Sequence, residues 1–276
     1  MNPNVTGRVA VVTGASRGLG AGLAGHFAAS GMHLGLCARH RPRLVARTRP
    51  TAQGGHIVSS ETPVLSAVDV TDRAALERFA DSVVARFGRI DLWVNNAGLL
   101  GPIAPLALAD AGEVARTIEV NVTGVANGSS VFAAHVRERP GRGVLINISS
   151  GAGTKPYEGW AAYCASKAAV DQLTRVVALE EARHDLLAYA VSPGLVDTEM
   201  QVAIRGADAS WFPERERFRR AAEQHRFNSP AWVAEHILVV AFGPERPESV
   251  TLRIPEQPQP PARTGSSPTS APGLAG

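Results

Sequence analysis

The apolar, β-branched run from Arg8 to Thr13 passes directly into Thr13-Gly14-Ala15-Ser16-Arg17-Gly18-Leu19-Gly20, and from there into an Ala/Leu-rich stretch ending at Ser30. A run of that kind forms a buried parallel strand, and the Ala/Leu-rich stretch has the composition of a helix. Strand, glycine-rich turn and helix in immediate succession is the context of a nucleotide-phosphate loop. Glycines allow the tight turn and the close approach of backbone, and a helix N-terminus offers unpaired N–H groups to a pyrophosphate. The competing reading is an ordinary glycine-rich turn, and the rest of the chain decides between them.

A second apolar strand is expected at about residues 33 to 38. An acidic residue at its end would hold an adenosine ribose 2′-hydroxyl, but this chain has Ala38-Arg39-His40-Arg41. Arg39, together with Arg17 of the glycine loop, suits a 2′-phosphate, and the expected cofactor is therefore NADP(H). Charge distribution agrees. Residues 1–60 hold seven arginines and no acid, whereas the remainder carries 21 basic against 25 acidic residues. A basic segment in an otherwise mildly acidic chain points to one local anionic ligand and not to a nucleic-acid surface.

Proline and glycine break the stretch from Pro42 to Pro63, which should hold at most a short helix before a third strand near Val64 to Val68. Asp69 and Val70 come directly after it. Beyond the carboxyl end of a parallel strand, Asp69 is placed to meet an adenine amino group, with Val70 as its backbone neighbour. Equally, Asp69 caps the next segment, and Asp72 is an N-cap candidate for a helix from Ala75 to Phe87. A further strand, Ile90 to Val94, ends in Asn95-Asn96-Ala97-Gly98. Small residues there let backbone approach a ligand while amide side chains tie down neighbouring turns.

Tyr163 and Lys167 lie four apart at the start of an apolar helical run, so both side chains project to one side. A phenol becomes an acid/base group near neutrality when a nearby positive charge stabilises its anion. Of the 28 basic residues, Lys155 and Lys167 alone are lysine. A slender ammonium reaches both a phenol and a ribose hydroxyl, where a broad guanidinium would crowd them. Taken alone, the pair also reads as an incidental one on an exposed helix.

The order and spacing of Thr-Gly-x-x-x-Gly-x-Gly, Asn-Asn-Ala-Gly and Tyr-x-x-x-Lys resemble the short-chain dehydrogenase/reductase family, over roughly residues 5–243. The resemblance implies a single Rossmann-like α/β domain: a seven-stranded, mostly parallel, doubly wound sheet with helices on both faces. It implies interconversion of a ketone or aldehyde and an alcohol by hydride transfer. Asn121, within the helical run Asp110 to Arg139, matches the family's asparagine that supports a proton-relay water near the lysine. Ser150, after the strand Gly143 to Ser149, matches the catalytic serine, and Ser149 is the neighbour to exclude. Ser150 would polarise the carbonyl, Tyr163 would donate the proton, and Lys167 would hold the nicotinamide ribose and lower the Tyr163 pKa. After a sixth strand, Leu186 to Ser192, Pro193-Gly194-Leu195-Val196-Asp197-Thr198 resembles the family's Pro-Gly motif. Val196 would there contact the nicotinamide carboxamide through its backbone, and Thr198 through its hydroxyl.

With 276 residues, 45% hydrophobic and 19% charged, the chain suits one large α/β domain over residues 1–254. Two cysteines, Cys37 and Cys164, in no ligand spacing imply no metal site, and the absence of a signal-like N-terminus or a long apolar run implies a cytoplasmic protein. The helix from Ala161 is apolar beyond one stripe, at Ala165, Ala168, Ala169, Val170, Leu173, Val176 and Val177, which with the family habit implies a homodimer or homotetramer. Residues 199–227 read as a lid bearing Trp211, Phe212 and Phe218, or else as a solvated surface helix. Leu99, Tyr157 and Trp160 near the mouth favour an apolar or aromatic carbonyl substrate. A seventh strand near Ser249 to Ile254 runs into Pro255 where many relatives have Asp-Gly-Gly, and residues 255–276 read as a disordered Pro/Ser/Gly-rich tail. The alternative function is a non-catalytic nucleotide-sensing or scaffold protein on the same fold. A sugar-nucleotide epimerase would need a larger C-terminal domain and different glycine spacing.

Overall fold

The computed structural model describes residues 3–44, 49–50, 56–57 and 62–258. Its seven-stranded sheet comprises β1 (Val9–Thr13), β2 (His33–Ala38), β3 (Val64–Ala67), β4 (Leu92–Asn95), β5 (Gly143–Ile148), β6 (Leu186–Ser192) and β7 (Thr251–Arg253). The order is β3-β2-β1-β4-β5-β6-β7, and every pairing is parallel. Helices α1 (Gly18–Ala29) and α8 (Pro230–Phe242) cover one face. The other is covered by α2 (Arg73–Phe87), α4 (Gly124–Arg137) and α5 (Ala161–Glu181). This is the single doubly wound α/β domain expected from the sequence.

Two-sided burial explains why the strands read as continuous apolar runs. Ala10 and Val12 pack with Leu23 and Phe27 of α1 and Ile237 of α8. Their neighbours Val9 and Val11 pack with Phe79 and Val83 of α2 and with Trp93 and Phe132. Asp72 caps α2, accepting from the Ala75 amide at 3.0 Å, and Gly88 ends that helix at φ 81°. Between Pro42 and Pro63 the described residues hold a two-residue antiparallel ladder, Arg49–Pro50 with His56–Ile57; residues 45–48, 51–55 and 58–61 lie outside them.

The run from Asp110 to Arg139, which reads as one helix, is three pieces. α3 (Ala111–Ile118) is separated from α4 by a π-helical turn over Glu119–Thr123. Such single turns recur at functional sites, and this one carries Asn121. At the opposite end of the sheet, His135 of α4 accepts from the Ile90 amide and from Arg139, both at 3.1 Å. Burial first, then the Arg139 and Arg89 guanidiniums, hold this imidazole below its ordinary value, against the pull of Asp91 and Asp81. The unfolded chain therefore takes up a proton that the folded chain resists, and stability falls as pH drops below about 6.5. His135→Gln keeps an acceptor without titrating. Its melting temperature is expected to fall less than the wild type's between about pH 8 and pH 5.5 in thermal unfolding.

Beyond Ile254 the chain stays hydrogen-bonded to the domain. Pro255, Glu256 and Gln257 are tied to the fold by Asn228, Trp232, Ser229 and Arg226 rather than lying outside it. Residues 259–276, the rest of the expected tail, lie outside the described residues.

Candidate active site

The chain switches direction between β1 and β4, which leaves a crevice at their carboxyl ends. Asn96 closes its floor: Nδ2 donates to the carbonyls of Thr13 (3.0 Å) and Gly14 (3.2 Å). The Thr13 hydroxyl in turn accepts from the amides of Asn96 and Ala97. This packing leaves no room for a side chain at Gly14 or Gly20. A Cβ on Gly14 would stand 2.7 Å from Ala97 Cα, and one on Gly20 would stand 2.4 Å from Asn96 Nδ2. Gly14 and Gly18 also adopt φ of +65° and +54°, which only glycine enters freely.

Above that floor Ser16, Arg17 and Gly18 are exposed, and Leu19 turns into the core. Arg17 is the extended N-cap of α1, makes no side-chain cap, and no acid occupies the first turn. The helix therefore presents unpaired N–H groups and uncompensated positive potential. These residues fit the phosphates of a dinucleotide.

Flanking groups are partly engaged. The Arg17 guanidinium pairs with Glu199, so an incoming phosphate must displace that carboxylate. Arg39 is exposed and makes no ion pair among the described residues. Both readings of Asp69 meet a fact: its carboxylate accepts from the amide and hydroxyl of Thr71 and from Arg116, with the hydrogen bonds and Arg116 holding its pKa low against the opposing effect of burial. Val70 is buried, and its carbonyl accepts from Asn127.

Deeper in the crevice, Ser150, Tyr163 and Lys167 come together. The Ser150 hydroxyl lies near enough to the Tyr163 phenol to lower its pKa, and Lys167 Nζ stands 5.7 Å from the Tyr163 ring centre while donating to the Ile148 carbonyl at 2.8 Å. Ser149 is buried and donates to Asp171, which separates it from this group. Gly98 lies beside the lysine: a Cβ there would stand 3.3 Å from Asn121 Oδ1 and 3.9 Å from Lys167 Nζ.

One expectation needs correction. Burial pushes the Tyr163 phenol up to about 12, against the lowering effect of the Ser150 hydroxyl. The expected depression by Lys167 does not appear, because the same burial pushes that ammonium down to about 8 despite the opposing Asp171 charge. Desolvation of both groups outweighs their neighbours. The Asn121 carboxamide is hydrogen-bonded on both sides. It accepts from the Leu99 amide (2.7 Å) and donates to the Leu99 carbonyl (2.8 Å) and the Ser166 hydroxyl (3.0 Å), so it braces the turn after β4 against α5.

The Pro193–Thr198 turn leads into α6 (Glu199–Gly206), with α7 (Arg215–Glu223) next in the chain. Gly18 and Thr198 adjoin, a Cβ on the glycine falling 3.3 Å from Thr198 Cγ2. Thr198 caps α6 through its backbone and not its hydroxyl. The 199–227 segment is not a solvated helix: Phe212 and Phe218 are buried against Trp160, at ring distances of 4.5 and 5.5 Å. Trp160 meets Tyr163 edge-on at 5.6 Å, so the segment joins the same apolar cluster as Tyr163. Trp211 is half-exposed and takes no part in that cluster.

Sequence reasoning passed over a buried amide relay. Asn95 accepts from Trp93 Nε1 and donates to Asn147, which donates to Thr174 of α5. Its signal is the doubled asparagine at the end of an apolar strand. Asp171 was also missed, although an acid four residues after Lys167 in an apolar helix is an unusual choice.

A parallel doubly wound sheet with a glycine-lined crevice at its switch point, and a Ser/Tyr/Lys group beside it, defines a dinucleotide-dependent enzyme. Residues 8–209 match the short chain dehydrogenase family, to which this chain belongs. It is similar to a benzil reductase ((S)-benzoin forming) of Bacillus subtilis, 31% identical over 83% of this chain and 90% of the relative. It also resembles an NADPH-dependent pterin aldehyde reductase of Arabidopsis thaliana, 33% identical over 76% and 84%. Among solved structures, the KRED1-Pglu enzyme superposes with a TM-score of 0.74 at 31% identity, covering 88% of this chain and 98% of that one. The chain is thus an oxidoreductase of carbonyl/alcohol pairs that uses a nicotinamide cofactor. No helix among the described residues is long and apolar enough to cross a membrane.

Proposed function

We propose that this enzyme is an NADP(H)-dependent carbonyl reductase for apolar or aromatic ketones and aldehydes, with Tyr163 as proton donor. The observation that carries the reading is the joint placement of Ser150, Tyr163 and Lys167 beside a glycine-lined crevice. When bound, the nicotinamide supplies the hydride. Ser150 holds the substrate oxygen, and Tyr163, protonated throughout the neutral range, gives that oxygen its proton. Lys167 binds the nicotinamide ribose and keeps positive charge near the phenolate left behind. Gly14, Ser16, Arg17, Gly18, Leu19 and Gly20 hold the phosphates; Asn96, Ala97 and Gly98 line the approach; Pro193, Gly194, Val196 and Thr198 face the nicotinamide end. Asp69 and Val70 flank the adenine.

Arg39 supports the choice of NADP(H), because it is exposed and needs to give up no ion pair among the described residues to meet a 2′-phosphate. The Arabidopsis relative is NADPH-dependent, and the Bacillus relative's diketone is aromatic, in keeping with the aromatic cluster. An exposed stripe on α5, through Ala165, Ala168, Val176 and Leu179, supports a homo-oligomer joined along that helix. The test is calorimetric titration of the wild type and Arg39→Asp with NADPH and NADH. The substitution is expected to weaken NADPH binding about tenfold or more, as for a lost charge-assisted contact, and NADH far less. Equal losses would remove Arg39 as the selector.

A further inference from the structure

We infer that Asn228 is a positioning residue, which fixes the Pro193–Val196 turn by strapping it to the C-terminal segment Pro255–Gln257. The inference rests on the proposed reading that this turn faces the nicotinamide end of the cofactor.

Asn228 lies between α7 and α8 and is 4% exposed. Its Nδ2 donates to the Pro193 carbonyl at 2.8 Å and to the Pro255 carbonyl at 3.2 Å. Its Oδ1 accepts from the Gln257 amide at 2.7 Å, and its own amide donates to the Leu195 carbonyl at 2.7 Å. The orientation of the carboxamide is forced, since two carbonyls need a donor and one amide needs an acceptor. Without that NH₂ group the Pro193 carbonyl would lose its donor and the Pro255 carbonyl one of its two.

Gly194 sits at the centre of this arrangement, at φ +76°. A Cβ on it would stand 2.8 Å from Asn228 Nδ2 and 3.9 Å from the Ile254 carbonyl. The strap has further anchors: Trp232 Nε1 donates to the Pro255 carbonyl at 3.0 Å, and the Ser229 amide donates to Gln257 Oε1 at 2.8 Å. Arg226 holds both oxygens of Glu256. The turn after β6, the residues that open α8 and the segment that follows β7 thus share one hydrogen-bonded junction, and Asn228 is its hub. The Pro193 carbonyl relies on the Asn228 amide, and the Pro255 carbonyl is shared between that amide and Trp232 Nε1.

A residue that sets this turn acts on the nicotinamide half of the cofactor and leaves the adenosine half alone. The experiment compares NADPH with adenosine 2′,5′-bisphosphate, which lacks the nicotinamide half, by calorimetry on the full-length wild type, Asn228→Leu and Gln257→Pro. Asn228→Leu keeps the volume and removes every side-chain hydrogen bond. Gln257→Pro removes the amide donor to Asn228 and the Oε1 acceptor of the Ser229 amide, so it tests the strap even if the first variant does not fold. NADPH is expected to bind about tenfold or more weakly to Asn228→Leu and about threefold or more weakly to Gln257→Pro, with the bisphosphate unchanged in both. Equal weakening of both ligands, or no weakening of NADPH, overturns the inference. A wild type that prefers NADH would overturn the proposed cofactor choice, and NADH against ADP would then decide the inference by the same comparison. A wild type that binds none of these ligands overturns both.

Discussion

Tyr163→Phe is expected to lower kcat/KM for carbonyl reduction by about 10²- to 10⁴-fold, the range contributed by a positioned general acid. Phenylalanine fills the same volume, and the ring's contacts with Trp160 persist. The loss is one hydroxyl and its interaction with Ser150, at about 1 kcal/mol of stability. NADPH affinity and melting temperature should stay close to wild type, so the loss falls on the chemical step. The measurement is NADPH oxidation with an aromatic diketone, alongside NADPH titration of both proteins. Substantial residual turnover would refute Tyr163 as the proton donor. Burial also fixes a direction for the wild type. With its pKa pushed up to about 12, Tyr163 holds its proton at neutral pH, which suits reduction. The reverse reaction needs the phenolate, so alcohol oxidation should speed up steadily as pH rises toward that value.

The strands and the glycine turn were legible because their causes are local. Apolar β-branched runs have few homes other than a sheet covered on both faces, and Gly14 and Gly18 stand where the backbone must turn at positive φ. Tyr163 and Lys167 were legible for a similar reason, since helical spacing alone puts them on one side. The features that escaped depend on partners distant in sequence. Nothing near Asn121 announces a π-turn or a bond to Leu99, and nothing near Arg17 announces Glu199, 182 residues away. Pro255 to Gln257 look like the start of a tail until Asn228 is seen to hold them. The pKa of Tyr163 went the wrong way because a sequence shows which charges are adjacent but not how completely the fold strips water from both. The solvated-helix reading of residues 199–227 failed likewise: its charges were visible, but the Trp160 ring that buries Phe212 lies more than fifty residues earlier.

Lys167→Met is the second large effect, and it should separate activity from stability. Methionine matches the length of the lysine stem but carries no charge. Reduction should slow by about 10²-fold or more, as when a single donor to a developing anion is removed. In the wild type the ammonium persists below about pH 8, the value to which burial brings it, so kcat/KM for reduction should be flat below that pH and decline above it. The variant should be slow throughout and lack that limb. Stability moves in the opposite sense. The folded-state pKa of Lys167 is depressed, so between about pH 8 and pH 10 the unfolded chain holds a proton that the folded chain has released. Unfolding free energy from this residue therefore rises with pH across that window in the wild type, and the variant loses that rise. Urea unfolding at several pH values reads the slope, and stopped-flow reduction reads the limb. A variant that keeps both the slope and the limb would show that Lys167 is not the group titrating near pH 8, and would return the charge beside Tyr163 to another residue.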